Sequence, residues 1–268
     1  MVDVVARDVR FHVQRISPPE GAPADRPVVV FLHGLILDNL SSFYYTLAGP
    51  VAGTGAETIM YDLRGHGRSQ RPPAGYTVDD AVDDLAALLA ELGVDQPVFL
   101  VGNSFGGVVA LRYALRRPRD VAGLVVIEAH TVGDGAGDWT EQMSNTLTVT
   151  ALGLAHDGLA DQLHELGDRK LARAARLAGE LLNGTTLIDD VAATPPLHGP
   201  ELAAIRCPVL AVYGVHSDLA AAGRQLAGLL PDCTLHMVPD QAHTVLREAT
   251  PLVRTLVLDW LVRHSAAS

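Results

Sequence analysis

The run Gly102-Asn103-Ser104-Phe105-Gly106 sets a serine midway between two glycines. The apolar stretch Pro97–Val101 precedes it as a strand would. A stretch rich in Val, Ala and Leu follows as a helix would, running to about Arg116 before Pro118. This is the strand–turn–helix context that a G-x-S-x-G nucleophile requires. So sharp a turn demands residues without side chains two before and two after Ser104. It leaves the hydroxyl projecting at the edge of a sheet with a helix N-terminus behind it. The backbone N–H of Phe105 then points to where an oxyanion would form. The chemistry open to such a serine is attack on a carbonyl. A glycine-rich turn that merely contains serine is the plain alternative, and the flanking strand and helix weigh against it.

Two further segments suit the same chemistry. His33-Gly34-Leu35 ends the apolar run Pro27–Leu32, and a tight turn there aims the Leu35 N–H at the oxyanion site from the opposite side. Tyr61-Asp62-Leu63-Arg64-Gly65-His66-Gly67-Arg68-Ser69 ends the next run, and its glycines and charges suit a structured loop. His66 is expected to be structural, because an imidazole in such a loop more often satisfies backbone groups than titrates.

The elements that must position these groups read as alternating strands and helices. Pro27–Leu32, Glu57–Tyr61, Pro97–Val101, Gly123–Ile127, Pro208–Tyr213 and Thr234–Val238 are nearly continuous in apolar residues, as strands buried on both faces of a parallel sheet are. Between the second and third, Thr77 and Asp80 form a capping-box signature and Gly93 follows the expected end. Val78, Ala81, Val82, Leu85, Leu88, Leu89 and Leu92 recur at helical spacing there. The alternation predicts a doubly wound α/β sheet. Asp3–Val5 and Val9–Gln14 read as an antiparallel hairpin at one edge. From about Val132 to Ile205 no strand-like run occurs, and Leu159, Leu163 and Leu166, then Leu171, Ala174, Ala178 and Leu181, keep a helical rhythm. So long an interval exceeds an ordinary connection and predicts an all-helical insertion over the sheet.

Composition narrows the classes. At about 150 residues per domain, 268 residues make one or two domains. With 48% hydrophobic and 19% charged residues the chain is not intrinsically disordered. A net charge of −11 argues against nucleic acid or an anionic membrane surface as partner. Cys207 and Cys233 make neither a disulfide framework nor a thiolate metal site. The charged stretch Met1–Arg10 is unlike a signal peptide, and no apolar run is long enough for a membrane span. A cytoplasmic location and no need of a metal or organic cofactor are the expectations.

His33-Gly34, Asp62–Ser69, Gly102–Gly107 and a late His243 together resemble the cap-bearing branch of the α/β-hydrolase superfamily, in order and over nearly the whole chain. The resemblance implies the α/β-hydrolase fold: a mostly parallel eight-stranded twisted sheet flanked by helices, a helical cap after strand six, and a Ser–acid–His triad. Residues 1–131 and 206–268 would form the core and 132–205 the cap.

Eight histidines follow Ser104. His243 comes just after Thr234–Val238 and before a helix, at the same sheet edge as Ser104, and is the expected base. The family usually has glycine before this histidine, where Ala242 stands here. His236 lies inside the strand and is expected to pack in the core. His130, His156, His164 and His198 fall at or within the cap. The acid has two candidates. Many members carry it after strand seven, three residues past a glycine; counted from Gly214 that position is Ser217, with Asp218 one further on. Glu128 ends the strand Gly123–Ile127, where other branches, haloalkane dehalogenases among them, carry theirs. A carboxylate after so apolar a run is costly to bury without a partner such as an imidazolium. Glu128 is favoured narrowly over Asp218; a helix-capping or cap-anchoring role is its structural alternative.

The resulting expectation is a serine hydrolase that cleaves an ester or thioester of a hydrophobic acyl group through an acyl-enzyme on Ser104, with the amides of Leu35 and Phe105 as oxyanion hole. The substrate would be a small molecule or a carrier-bound acyl group. Gly214-Val215-His216-Ser217-Asp218 adds a loose similarity to discrete hydrolases and thioesterases of bacterial polyketide pathways. Leu147, Val149, Leu152 and Leu154 suggest an apolar cap underside suited to a sizeable acyl chain. The alternatives are a carbon–carbon hydrolase or cofactor-free haloperoxidase-like enzyme on the same triad, and a non-catalytic ligand-binding protein.

Overall fold

The computed structural model describes residues 2–22, 26–130 and 169–265, the side chains of 169–171 excepted. The expected cap helices before residue 169, with Leu147, Val149, Leu152, Leu154, Leu159, Leu163, Leu166, His156 and His164, lie outside the described residues.

Strands β1 (Val2–Ala6), β2 (Val9–Ile16), β3 (Val28–Leu32), β4 (Glu57–Tyr61), β5 (Val98–Asn103), β6 (Val121–Ile127), β7 (Val209–Gly214) and β8 (Cys233–Val238) form one sheet in the order β1-β2-β4-β3-β5-β6-β7-β8. The β1–β2 hairpin joins antiparallel to β4, and all later pairings are parallel. The fold is the α/β-hydrolase fold.

Alternate strand residues feed two cores, which is why the strands read as unbroken apolar runs. Val28, Val30, Leu32, Leu100, Leu124 and Val126 face one helical layer. It includes α1 (Val78–Glu91) and α2 (Phe105–Arg116). Val29, Phe31, Val101, Val125 and Ile127 face the other. That side is covered by Phe43, Leu47 and Val51 of the helical stretch from Ser41 to Gly53, and by Val253, Val257 and Trp260 further on.

The Thr77 capping box forms as expected, with the Asp80 N–H donating to Thr77 Oγ1 at 3.0 Å, and Gly93 follows the helix at φ 68°. Of the insertion, α3 (Arg169–Gly184) and α4 (Leu187–Ala192) are helical, and no strand occurs among the described residues between β6 and β7. The buried face of α3 includes the expected Ala178 and Leu181 and adds Ala172, Ala175 and Leu182, while Ala174 is half-buried. The Asp190 carboxylate of α4 accepts the Tyr76 N–H at 2.8 Å, and Arg71 pairs with Glu180 at 2.8 Å, tying these helices to the core.

One strand departs from expectation. β8 is an edge strand whose burial alternates, and His236 is exposed instead of packed in the core. The side chains of one face, Thr234 and His236, are left uncovered and lie in water.

Candidate active site

Ser104 joins β5 to α2 with φ 52° and ψ −119°, a left-handed backbone held at a cost of order 1–3 kcal/mol. The surroundings enforce it. The Ser104 N–H donates to the Ile127 carbonyl at 2.8 Å. A Cβ at Gly102 would collide with the Gly106 carbonyl, and one at Gly106 with the Leu32 carbonyl. Both glycines are thus required by close backbone approach, Gly102 within the turn and Gly106 against the end of β3.

The turn after β3 lies against this serine: a Cβ on Gly34 would stand 3.5 Å from Ser104 Cβ. Its amides are assigned in sequence. Gly34 N–H donates to Asp38 Oδ2 at 2.7 Å, and Ile36 N–H donates to His66 Nε2 at 2.9 Å. Between them, the Leu35 N–H meets no acceptor among the described residues. Phe105 N–H is the first amide of α2 and lacks an intrahelical acceptor.

Two imidazoles fasten that turn to the loop after β4. His66 donates from Nδ1 to the Arg64 carbonyl at 2.8 Å while accepting from Ile36. Burial, reinforced by the neighbouring His33, pushes its pKa down to about 3, so it stays neutral and keeps Nε2 as an acceptor. His33 donates from Nδ1 to the Gly34 carbonyl at 2.6 Å and accepts the Leu63 N–H on Nε2 at 2.9 Å. Asp62 accepts the Leu40 and Arg68 N–H groups at 2.9 and 2.8 Å. Tyr61–Ser69 is therefore scaffolding for the turn, and His66 has the bonding of a structural residue.

The histidine and the acids stand as follows. Glu128, at φ 50° after β6, is fully buried. Its Oε2 lies 3.2 Å from His243 Nδ1, and its Oε1 accepts the Gly214 N–H. Asp218 is exposed and, among the described residues, its carboxylate meets Ser217 Oγ, at 3.4 Å. The Glu128 hydrogen bond raises the His243 pKa above its ordinary 6.5; burial opposes, and the Glu128 and Asp218 charges add to the rise. The His243 loop rests on β7: His216 N–H donates to the Gln241 carbonyl at 2.9 Å, and a Cβ at Gly214 would collide with that carbonyl.

Ser104 and His243 line one cavity of about 630 Å³ with Gly34, Leu35, Leu37 and Tyr45. The structure thus brings Ser104, His243, Glu128, Leu35 and Phe105 to one sheet edge, with Asp218 outside. Sequence reasoning assigned no role to Asp38 or Ser217. Ser217 donates from Oγ to Glu128 Oε2 at 2.5 Å. The available signal was that Ser217 occupies the place where many relatives carry their acid.

A model of the family described as alpha/beta hydrolase fold matches residues 27–250. Among curated proteins, the chain is 33% identical over 157 residues to mouse sn-1-specific diacylglycerol lipase ABHD11, covering 58% of this chain and 49% of that protein. It is 39% identical over 128 residues to lipase LipV of Mycobacterium tuberculosis, covering 48% and 45%. To epoxide hydrolase 2 of Siraitia grosvenorii it is 38% identical over 109 residues, covering 39% and 33%. The matches thus span half or less of these relatives. Among solved structures, a putative lipase from Acinetobacter baumannii superposes with a TM-score of 0.80 at 18% identity, over 100% of this chain and 92% of that one, a likeness of fold.

Proposed function

Because this chain belongs to the α/β-hydrolase family, we propose that it is a serine hydrolase acting on an ester or thioester of a hydrophobic acyl group. The observation that carries this reading is the 3.2 Å contact between Glu128 and His243, beside a cavity that His243 shares with the strained Ser104. Ser104 Oγ attacks the acyl carbonyl while His243 takes its proton, and His243 returns that proton to the leaving group. Water then attacks the acyl-enzyme by the same route. Glu128 holds the proton of His243 on Nδ1, which leaves Nε2 as the base, and stabilises the imidazolium as it forms. The Leu35 and Phe105 amides receive the developing oxyanion.

Lipases among the relatives support ester chemistry. The name of the epoxide hydrolase relative is not carried to this chain, because a serine at the elbow suits attack on an acyl carbonyl. The cavity volume and the Leu35 and Leu37 walls favour a sizeable acyl chain. In this reading the insertion from 132 to 205 is a cap over the site. The protein works in the cytoplasm on a small-molecule or carrier-bound acyl substrate, without metal or cofactor.

The test combines fluorophosphonate labelling with a series of p-nitrophenyl esters and acyl thioesters. Labelling of Ser104, with octanoyl substrates at least about tenfold ahead of acetyl ones in kcat/KM, is the expected result. A protein that resists the probe is a non-catalytic binder. A labelled protein that hydrolyses neither series shifts the reading to carbon–carbon or haloperoxidase-like chemistry.

A further inference from the structure

The geometry points to Ser217 as a positioning residue for the acid, standing at a second place from which a carboxylate can serve His243. This inference rests on the triad reading above. Ser217 is 8% exposed, in the loop after β7. Its Oγ accepts the Leu219 N–H at 3.1 Å, so its own proton is free to be donated. Glu128 Oε2 stands 2.5 Å away and Asp218 Oδ1 3.4 Å away, and the shorter bond takes the proton. That Oε2 is the oxygen facing His243 Nδ1. Gly214 N–H holds the other oxygen.

The end of β7 and the loop after it therefore supply the two neutral donors that fix a side chain entering from β6. A carboxylate's terminal torsion is broad and soft, so without these bonds it would swing. With them, Oε2 stays on His243, and the lone pairs that burial strips of water are satisfied. Ser217 Oγ is one bonded group short of Oε2. If the Glu128 side chain were removed, an aspartate at 217 would place an oxygen close to the vacated Oε2 position. Asp218 is exposed, and the contact its carboxylate makes is with Ser217 Oγ instead of the imidazole.

The test compares kcat and KM on a p-nitrophenyl ester for Ser217→Ala, Ser217→Thr, Glu128→Gly and Glu128→Gly/Ser217→Asp. Glycine at 128 accepts the φ of 50° without strain and opens the space. Ser217→Ala is expected to lower kcat about tenfold or more with KM within about twofold, whereas Ser217→Thr, which keeps the hydroxyl, stays near the parent. Glu128→Gly should lose about a thousandfold, and the double variant should regain at least about tenfold of it. The inference is overturned if Ser217→Ala matches the parent and the double variant, folded by circular dichroism, is no better than Glu128→Gly. If Glu128→Gly itself keeps the parent kcat, the triad reading falls and this one with it. A dead Glu128→Gly with silent Ser217 arms removes only the role of Ser217.

Discussion

Glu128 Oε2 and His243 Nδ1 are 3.2 Å apart although 115 residues separate them in the chain. The carboxylate is fully buried, and the imidazole opens onto the cavity that Ser104 also lines. A buried charge of this kind is tolerated where hydrogen bonds and an opposite charge meet it. Here the partner is the group that would collect a proton during turnover.

Ser104→Ala and His243→Ala are each expected to lower kcat by about ten-thousandfold or more, because the nucleophile and base act as a unit. Circular dichroism of both variants should match the parent. Burst kinetics retained by Ser104→Ala would remove the serine from its assigned role.

The acid is decided by a pair of isosteric changes. Glu128→Gln should lose at least about a thousandfold in kcat, and Asp218→Asn less than about tenfold. Asp218 acts on His243 through its charge alone, and less strongly than Glu128. The reverse order, measured on folded protein, transfers the role to Asp218.

A pH profile reads the same contact. The Glu128 hydrogen bond raises the His243 pKa, and the base must be neutral to accept a proton. Activity should therefore fall on acidification with a midpoint above 6.5 in kcat/KM. In the residual activity of Glu128→Gln that midpoint should move down. A parent midpoint below 6.5 would contradict the contact.

His66 predicts a stability effect separate from catalysis. Its folded pKa is about 3, against about 6.5 in an unfolded chain. Between those values the unfolded state binds a proton that the folded state refuses. Its contribution is complete above pH 6.5 and is lost as pH falls toward 3, by at most about 1.4 kcal/mol per pH unit. Denaturant unfolding from pH 7 to 4 should show a shallower loss in His66→Gln than in the parent. Equal slopes would mean that His66 is protonated in the fold.

The nucleophile turn was legible because backbone crowding on both sides of Ser104 leaves glycine as the residue that fits, at Gly102 against the turn itself and at Gly106 against β3. The two-faced burial of β3, β5 and β6 was legible for the same kind of reason, since both faces call for apolar residues. What stayed hidden depends on partners distant in sequence. Asp84 sits on the buried face of α1 because Arg64 and Arg7 reach it, at 2.6 and 3.0 Å, from two other loops. Ser217 looked like a missing acid because its partner enters from another strand. β8 reads like an inner strand because composition does not record that it stands last in the sheet order.

β7 lies between the strand that ends in the acid and the strand that leads to the histidine. Acid and base meet across β7, with β8 laid beside it, and the chain closes a loop of 115 residues to bring them together. Ordering a pairing so remote is slow, because the entropy of closure is lost before any contact compensates. In refolding, far-ultraviolet dichroism should recover ahead of hydrolytic activity. Recovery of turnover then becomes a clock for the docking of the C-terminal strands.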